Sequence, residues 1–262
     1  RFGSKASMAS RAQSKVKMLE KSGKKEKLAA IANLDFKFNY MPYNSKENLL
    51  NIKKLDFYYN EENYLIKNIS FSIKKTDKIC VIGKNGKGKS TLLKLITKDL
   101  LPKSGEVNMH QKTEFGYFGQ MNIDRLKPNN SVYQEIQSYV PELEETKVRR
   151  VCGNMMFSSK LSSKQIKVLS GGEKSRVMLG KILLKPANLL MLDEPTNHLD
   201  LDSCESLLEA IKSFDGAVMM VTHDEYFLKE IANKLIVFDD NKVSVFEGSY
   251  EDFLSKVGWK DE

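Results

Sequence analysis

The chain has 262 residues, 41% of them hydrophobic and 29% charged, with a net charge of +8. That composition is globular, well away from disorder, and the length is about the limit of a single core. No apolar run approaches the roughly 18 residues of a membrane-spanning helix, and three cysteines and three histidines without metal-ligand spacing argue against a disulfide framework or a multi-histidine metal centre.

The charge is concentrated at one end. Residues 1–33 hold nine Lys/Arg against two Asp/Glu, a net of +7, which leaves +1 for the other 229 residues. A basic segment beside a nearly neutral domain points to an anionic partner, nucleic acid first, or else to a solvated helix face. Ala6, Ala9, Ala12, Val16 and Leu19 recur at three- and four-residue steps among the lysines. The spacing predicts a helical arm or linker over residues 1–32 with too thin an apolar stripe for a core. The chain starts at Arg1 rather than Met, so the expectation is an N-terminus cut from something longer.

Residues 33–48, with Pro42 and Asn44-Ser45, read as a connection. Leu50–Tyr59 and Tyr64–Ile73 alternate like two strands of a hairpin. Lys78–Gly83 reads as a short buried strand, and Lys89–Leu100 as a helix. Asp124–Lys185 is mostly helical in pattern. Leu189–Leu192 and Ala217–Thr222 are fully apolar strands, and Ile236–Asp239 with Lys242–Phe246 form a last hairpin. Strands and helices alternate around a helical insert, which predicts an α/β fold with a largely parallel sheet.

Gly83, Lys84, Asn85, Gly86, Lys87, Gly88, Lys89 and Ser90, followed by Thr91, fit the phosphate-loop pattern GxxxxGK[ST], with a strand before and a helix after. Glycines let successive backbone N–H groups cradle phosphate oxygens, and the helix N-terminus faces the anion. Lys89 reaches the β- and γ-phosphates, and Ser90 offers its hydroxyl to Mg²⁺. Asp193 and Glu194 end an apolar strand, where ligands sit in an open parallel sheet. Asp193 suits the Mg²⁺ shell; Glu194 can accept a proton from, or orient, an attacking water. Ser170-Gly171-Gly172-Glu173 opens a helix, as another anion site or as simple capping. His223 follows the strand Ala217–Thr222 as a γ-phosphate contact. Gln120, before the insert, can join the Mg²⁺ or water shell.

In this order the motifs resemble the ATP-binding cassette superfamily over about residues 50–250. The resemblance implies a P-loop NTPase core with an antiparallel β subdomain and an inserted helical subdomain near residues 121–183. It implies a nucleotide-binding domain over 49–250 and a tail over 251–262, with ATP and Mg²⁺ as cofactors and ATP hydrolysis as the activity. Gly83 to Ser90 match its Walker A loop, Gln120 its Q-loop, Ser170 to Glu173 its signature, Asp193 and Glu194 its Walker B end, and His223 its switch histidine. Tyr59 is similar to the aromatic that stacks on adenine, with Tyr58 or Phe57 as alternatives.

Glu194-Pro-Thr-Asn-His-Leu-Asp200 and Phe246-Glu-Gly-Ser-Tyr-Glu-Asp-Phe253 resemble the ABC-F branch, and Arg1 to Lys21 resemble the end of the linker between its two cassettes. That implies a second cassette as partner, in the same full-length chain or by dimerisation. It also implies a ribosome, rRNA or tRNA contact through the linker, no membrane insertion, and weak turnover for one cassette alone. The implied location is cytoplasmic, with an organellar one left open by the missing N-terminus. A transporter's cytoplasmic ATPase subunit is the alternative. Lys87 stands where small residues are usual; it either adds charge near the nucleotide or points to solvent, the favoured expectation. Glu225 stands where the family often has Arg, which puts any contact of that Arg in doubt.

Overall fold

The structure, a computed structural model, describes residues 37–61, 63–197, 199–239 and 242–258. The basic linker expected over 1–32, the first residues of the connection, His198 of the 194–200 loop and the end of the tail lie outside them.

Two sheets organise the chain. In the first, β1 (Leu50–Asn60) pairs antiparallel with β2 (Asn63–Ile73) and, on its other edge, with β4 (Ser104–Met109). The second has six strands in the order β5-β6-β7-β3-β8-β9. Its strands are β3 (Lys78–Gly83), β5 (Phe115–Phe118), β6 (Leu189–Asp193), β7 (Ala217–Val221), β8 (Lys234–Asp239) and β9 (Lys242–Glu247). All are parallel except β9, which runs antiparallel on β8. The apolar runs of β3, β6 and β7 are buried nearly throughout, as a parallel sheet covered on both faces requires.

Alternation along these strands feeds two cores. Cys80 and Ile82 of β3 join the core that holds the helical insert, while Ile79 and Val81 join the one that holds the antiparallel sheet. Helix α1 (Lys89–Ile96) belongs to the second. The insert comprises α2 (Gln120–Asp124), α3 (Val132–Gln137), α4 (Glu145–Asn154), two short 3₁₀ turns and α5 (Gly171–Leu184). Then α6 (Leu201–Lys212), α7 (Glu225–Ile231) and α8 (Tyr250–Lys256) complete the fold. Phe38 and Tyr43 are buried, so the described part of the connection packs onto the domain. Helix α8 begins at Tyr250, and Phe253 is buried, so the residues read as tail start inside a packed helix.

Helix α1 stops four residues short of the expected Leu100. Thr97 is its C-cap, and Lys98 takes a left-handed φ of +63°, which an α-helix cannot continue through. Thr97 Oγ1 bonds the Lys94 carbonyl at 3.2 Å and Asp99 at 2.9 Å, a local alternative to another turn. Strands β4 and β5 are additions to the sequence reading. The side chains of β4 are mostly exposed, which leaves no apolar alternation to detect.

Candidate functional site

The site assembles where β3, β6 and β7 end. Between β3 and α1 the chain turns through Gly83, whose φ of +139° and contact with β8 leave no room for a side chain; a Cβ there would strike the Phe238 carbonyl. Gly88, at φ +106°, lies under Leu65 of β2, with only 3.3 Å between an added Cβ and Leu65 Cβ. The loop is thus wedged between β8 and the antiparallel hairpin. Helices α3, α5, α6, α7 and α8 are each capped by a Ser or Asp side chain. Helix α1 is capped by Gly88, which offers none. Its first N–H groups therefore face the loop without a side-chain acceptor, as an anion site requires.

Lys89 is buried. Its ammonium donates to the Gly83 carbonyl at 2.6 Å and the Lys84 carbonyl at 2.9 Å, and reaches Asn85 Oδ1 at 3.4 Å. Burial lowers its pKa, and the charges of Glu194 and Asp193 oppose that shift. Thr91 is buried beside it, and Lys84, Asn85 and Gly86 are exposed. Lys87 is half-buried.

Ser90 Oγ donates to Asp193 Oδ1 at 3.1 Å, across 103 residues of chain. Burial raises the Asp193 carboxyl above its ordinary value, against the Ser90 hydrogen bond. Adjacent Glu194 is turned aside by a left-handed φ of +49°, with its N–H on the Val221 carbonyl at 2.9 Å. A bulky residue in that region costs about 1–3 kcal/mol and is held only where surrounding structure imposes it. Glu194 Oε1 lies 3.5 Å from His223 Nε2. The two adjacent carboxylates thus meet different neighbours. Burial first, then the neighbouring Asp193 charge, pushes the Glu194 carboxyl up, and Lys89 pulls it down.

His223 Nε2 pairs with Asn85 Oδ1 at 2.8 Å. An amide oxygen only accepts, so the imidazole donates its Nε2–H. Burial and the positive charge of Lys89 lower the His223 pKa, which keeps the ring neutral at pH 7. Thr222 Oγ1 and Asp224 fix the turn that presents the ring: Asp224 N–H donates to Thr222 at 3.1 Å, and Asp224 caps α7. Glu225 fills the first turn of α7, where an acid suits the helix dipole, and pairs with Lys229 at 3.5 Å.

Gln120 is the first residue of α2, next to the end of β5. Tyr59 is 62% exposed at the end of β1, edge-on to Phe57 at 5.0 Å. Phe57 is buried and unable to stack on a ligand. The signature residues stand apart. Ser170 Oγ accepts from Glu173 N–H at 3.3 Å, and Glu173 Oε2 accepts from Ser170 N–H at 2.8 Å, a capping box that also draws Lys164 to 3.8 Å. The Ser170 backbone N–H holds the Glu173 carboxyl below its usual value. Gly171 is exposed at the helix start.

Two features escaped the sequence reading. The Asn85–His223 bond spans 138 residues, and no spacing announces it. Tyr117, buried within reach of the Asp193 charge, has its phenol pKa raised by burial first and then by that charge; a single aromatic in a short strand carries no signal.

Among the described residues no group of three or more His, Cys, Asp or Glu is arranged to hold a metal. The Ser90–Asp193 pair supplies two hard oxygen ligands, which fits Mg²⁺, an ion that takes one or two protein ligands and completes its shell with phosphates and water.

A family model described as "ABC transporter" matches residues 66–197. The Escherichia coli (strain K12) protein YheS is 37% identical over 255 residues, covering 97% of this chain and 39% of that protein. The mouse ATP-binding cassette sub-family F member 3 is 38% identical over 176 residues, 67% of this chain and 25% of that protein. The chain thus spans well under half the length of these relatives. Among solved structures, a bacterial Atm1-family ABC exporter with ATP bound superposes with a TM-score of 0.70 over 87% of this chain and 43% of that one. At 18% identity that likeness shows the fold alone. No helix among the described residues is long and apolar enough to cross a membrane.

Proposed function

Because the chain belongs to the ATP-binding cassette family, in its sub-family F branch, we propose that it binds ATP with Mg²⁺ at the β3–α1 loop and hydrolyses it as one half of a pair of cassettes. The observation that carries this reading is the convergence of three distant segments. Ser90 bonds Asp193, and Asn85 bonds His223, which lies against Glu194.

Each residue then has a task. Loop N–H groups and the α1 N-terminus bind phosphate oxygens, and Lys89 exchanges its loop carbonyls for phosphate. Ser90 and Asp193, joined by Gln120, would hold Mg²⁺, which supplies charge neutralisation to the transferring phosphoryl group. Ionised Glu194, its pKa raised above the ordinary value by burial, accepts a proton from or orients the attacking water. Neutral His223 offers its Nε2–H to the γ-phosphate. Tyr59 stacks on the adenine, which its exposed ring permits.

Ser170, Gly171, Gly172 and Glu173 serve the nucleotide of a second cassette. Among the described residues, the side chains of Ser170 and Glu173 bond only within this turn and to Lys164, which supports an outward-facing role. Phosphoryl transfer is catalysed mainly by positioning and electrostatics, so a site without its opposite signature binds ATP but turns over slowly. The basic residues 1–33, which suit an anionic partner, and the resemblance of residues 1–21 to the ABC-F linker support a role on the ribosome, with cassette closure acting on translation. Co-sedimentation with ribosomes in the presence of ATP tests it. The chain pellets with ribosomes and loses that behaviour without residues 1–33; a transporter's ATPase subunit stays in the supernatant in both cases.

A further inference from the structure

On the reading that Tyr59 is the aromatic that stacks on adenine, Tyr58 and Tyr64 of the antiparallel sheet are left without a task at the ATP site. Register shifts in the β1–β2 pair separate them from Tyr59. Phe57 pairs with Ile66, but the next pair is Tyr58 with Tyr64, so β2 carries one extra residue between them. Consecutive Leu65 and Ile66 therefore both pack on the inner core, and Tyr64 turns out beside Tyr58. Neither tyrosine belongs to a core cluster, and Tyr64 is 49% exposed. Their rings lie 4.9 Å apart, tilted by 59°. Each carries a lysine over its face: Lys67 Nζ at 5.4 Å from the Tyr64 centroid and Lys103 Nζ at 5.1 Å from that of Tyr58.

We propose that Tyr58, Tyr64, Lys67 and Lys103 form a contact surface for an unpaired nucleic-acid strand, separate from the ATP site. Two ring planes flanked by ammonium groups meet what such a strand presents, π-faces alternating with phosphates. The ammonium groups now resting on the rings can move to phosphate as bases take their place. Asp56, two residues before Tyr58, keeps its charge but has its carboxylate oxygens engaged within the sheet, accepting from Asn68 N–H and Ser104 Oγ, each at 2.6 Å. Glu106 lies opposite Lys53 in register, and Glu61 is in the turn.

The test is fluorescence anisotropy of the whole chain with a labelled 12-nucleotide oligouridine, its single-stranded DNA counterpart, and an RNA duplex. The Y58A/Y64A pair weakens single-strand binding about tenfold while leaving its salt dependence unchanged. The K67E/K103E pair lowers the slope of log affinity against log salt by about 1.4, two single-strand phosphate contacts' worth. Y58F/Y64F keeps the rings and binds like the parent, and duplex binding, which the basic residues 1–33 can supply, is unaffected by the tyrosine changes. Loss on RNA alone or on both strands supports the proposal and identifies the ligand. Unchanged affinity in Y58A/Y64A overturns it. Should that pair fail to bind a fluorescent ATP analogue through misfolding, Y58L/Y64L decides by the same criterion: retained strand affinity overturns the proposal, lost affinity supports it. Ribosome co-sedimentation is a separate readout, so failure of either reading leaves the other standing.

Discussion

The phosphate-loop end and the signature end of this molecule are built from similar parts, a glycine-rich turn feeding a helix, yet they are wired differently. The loop is bonded to distant chain: Ser90 to Asp193 and Asn85 to His223, across 103 and 138 residues. The signature closes on itself within three residues, Ser170 with Glu173. Helix α1 begins on Gly88 without a side-chain cap, while α5 begins on a complete capping box. One end is a chemical site assembled by the fold. The other is a local turn whose capping bonds stay within its own helix start.

That contrast can be broken by substitution. The largest effect is expected at the loop end. Glu194→Gln removes the base but keeps the shape, so phosphate release falls about 10²- to 10⁴-fold while binding of a fluorescent ATP analogue persists. Next is the packing that holds the signature helix. Lys181 on α5 bonds Glu135 on α3 at 2.6 Å, and both are largely buried. Lys181→Met leaves the Glu135 charge without its partner and costs about 3–5 kcal/mol, read by chemical or thermal unfolding. A smaller effect is expected from Ser170→Ala, which removes a cap worth about 1 kcal/mol in the same unfolding measurement.

The smallest is a shift in pH dependence. Glu194 must be ionised to accept a proton, and burial raises its pKa, so the acid limb of kcat lies above that of an ordinary glutamate. His223 has a lowered pKa and charges only below its usual 6.5, so the ring stays a neutral donor through pH 7. A pH–rate profile with its acid limb at or below the ordinary glutamate range contradicts the assignment.

Much of this was legible in the sequence because the strands are short, apolar and parallel. Lys78–Gly83 is read with the same ends from its residues and from the structure, since both faces of β3 are covered and the run stops at a glycine. Strand β4 was not, because it is an exposed edge of a small sheet. The end of α1 was misplaced because apolar residues continue to Leu101, while the left-handed Lys98 that stops the helix has no signature of its own. At the site, glycine spacing and the paired acids identify the segments. Their geometry depends on tertiary facts: the left-handed backbone of Glu194, and an Asn85 side chain that meets His223.

The central claim is that the site is completed by another cassette's signature, and mixing two inactive variants tests it most directly. Glu194→Gln disables the loop end and keeps Ser170; Ser170→Arg disables the signature and keeps Glu194. Each is predicted to be inactive alone. Combined in one tube, they are predicted to regain phosphate release, because one intact loop end can face one intact signature. A Ser170→Arg variant that is fully active alone, or a mixture that stays inactive although the two proteins associate, contradicts the account.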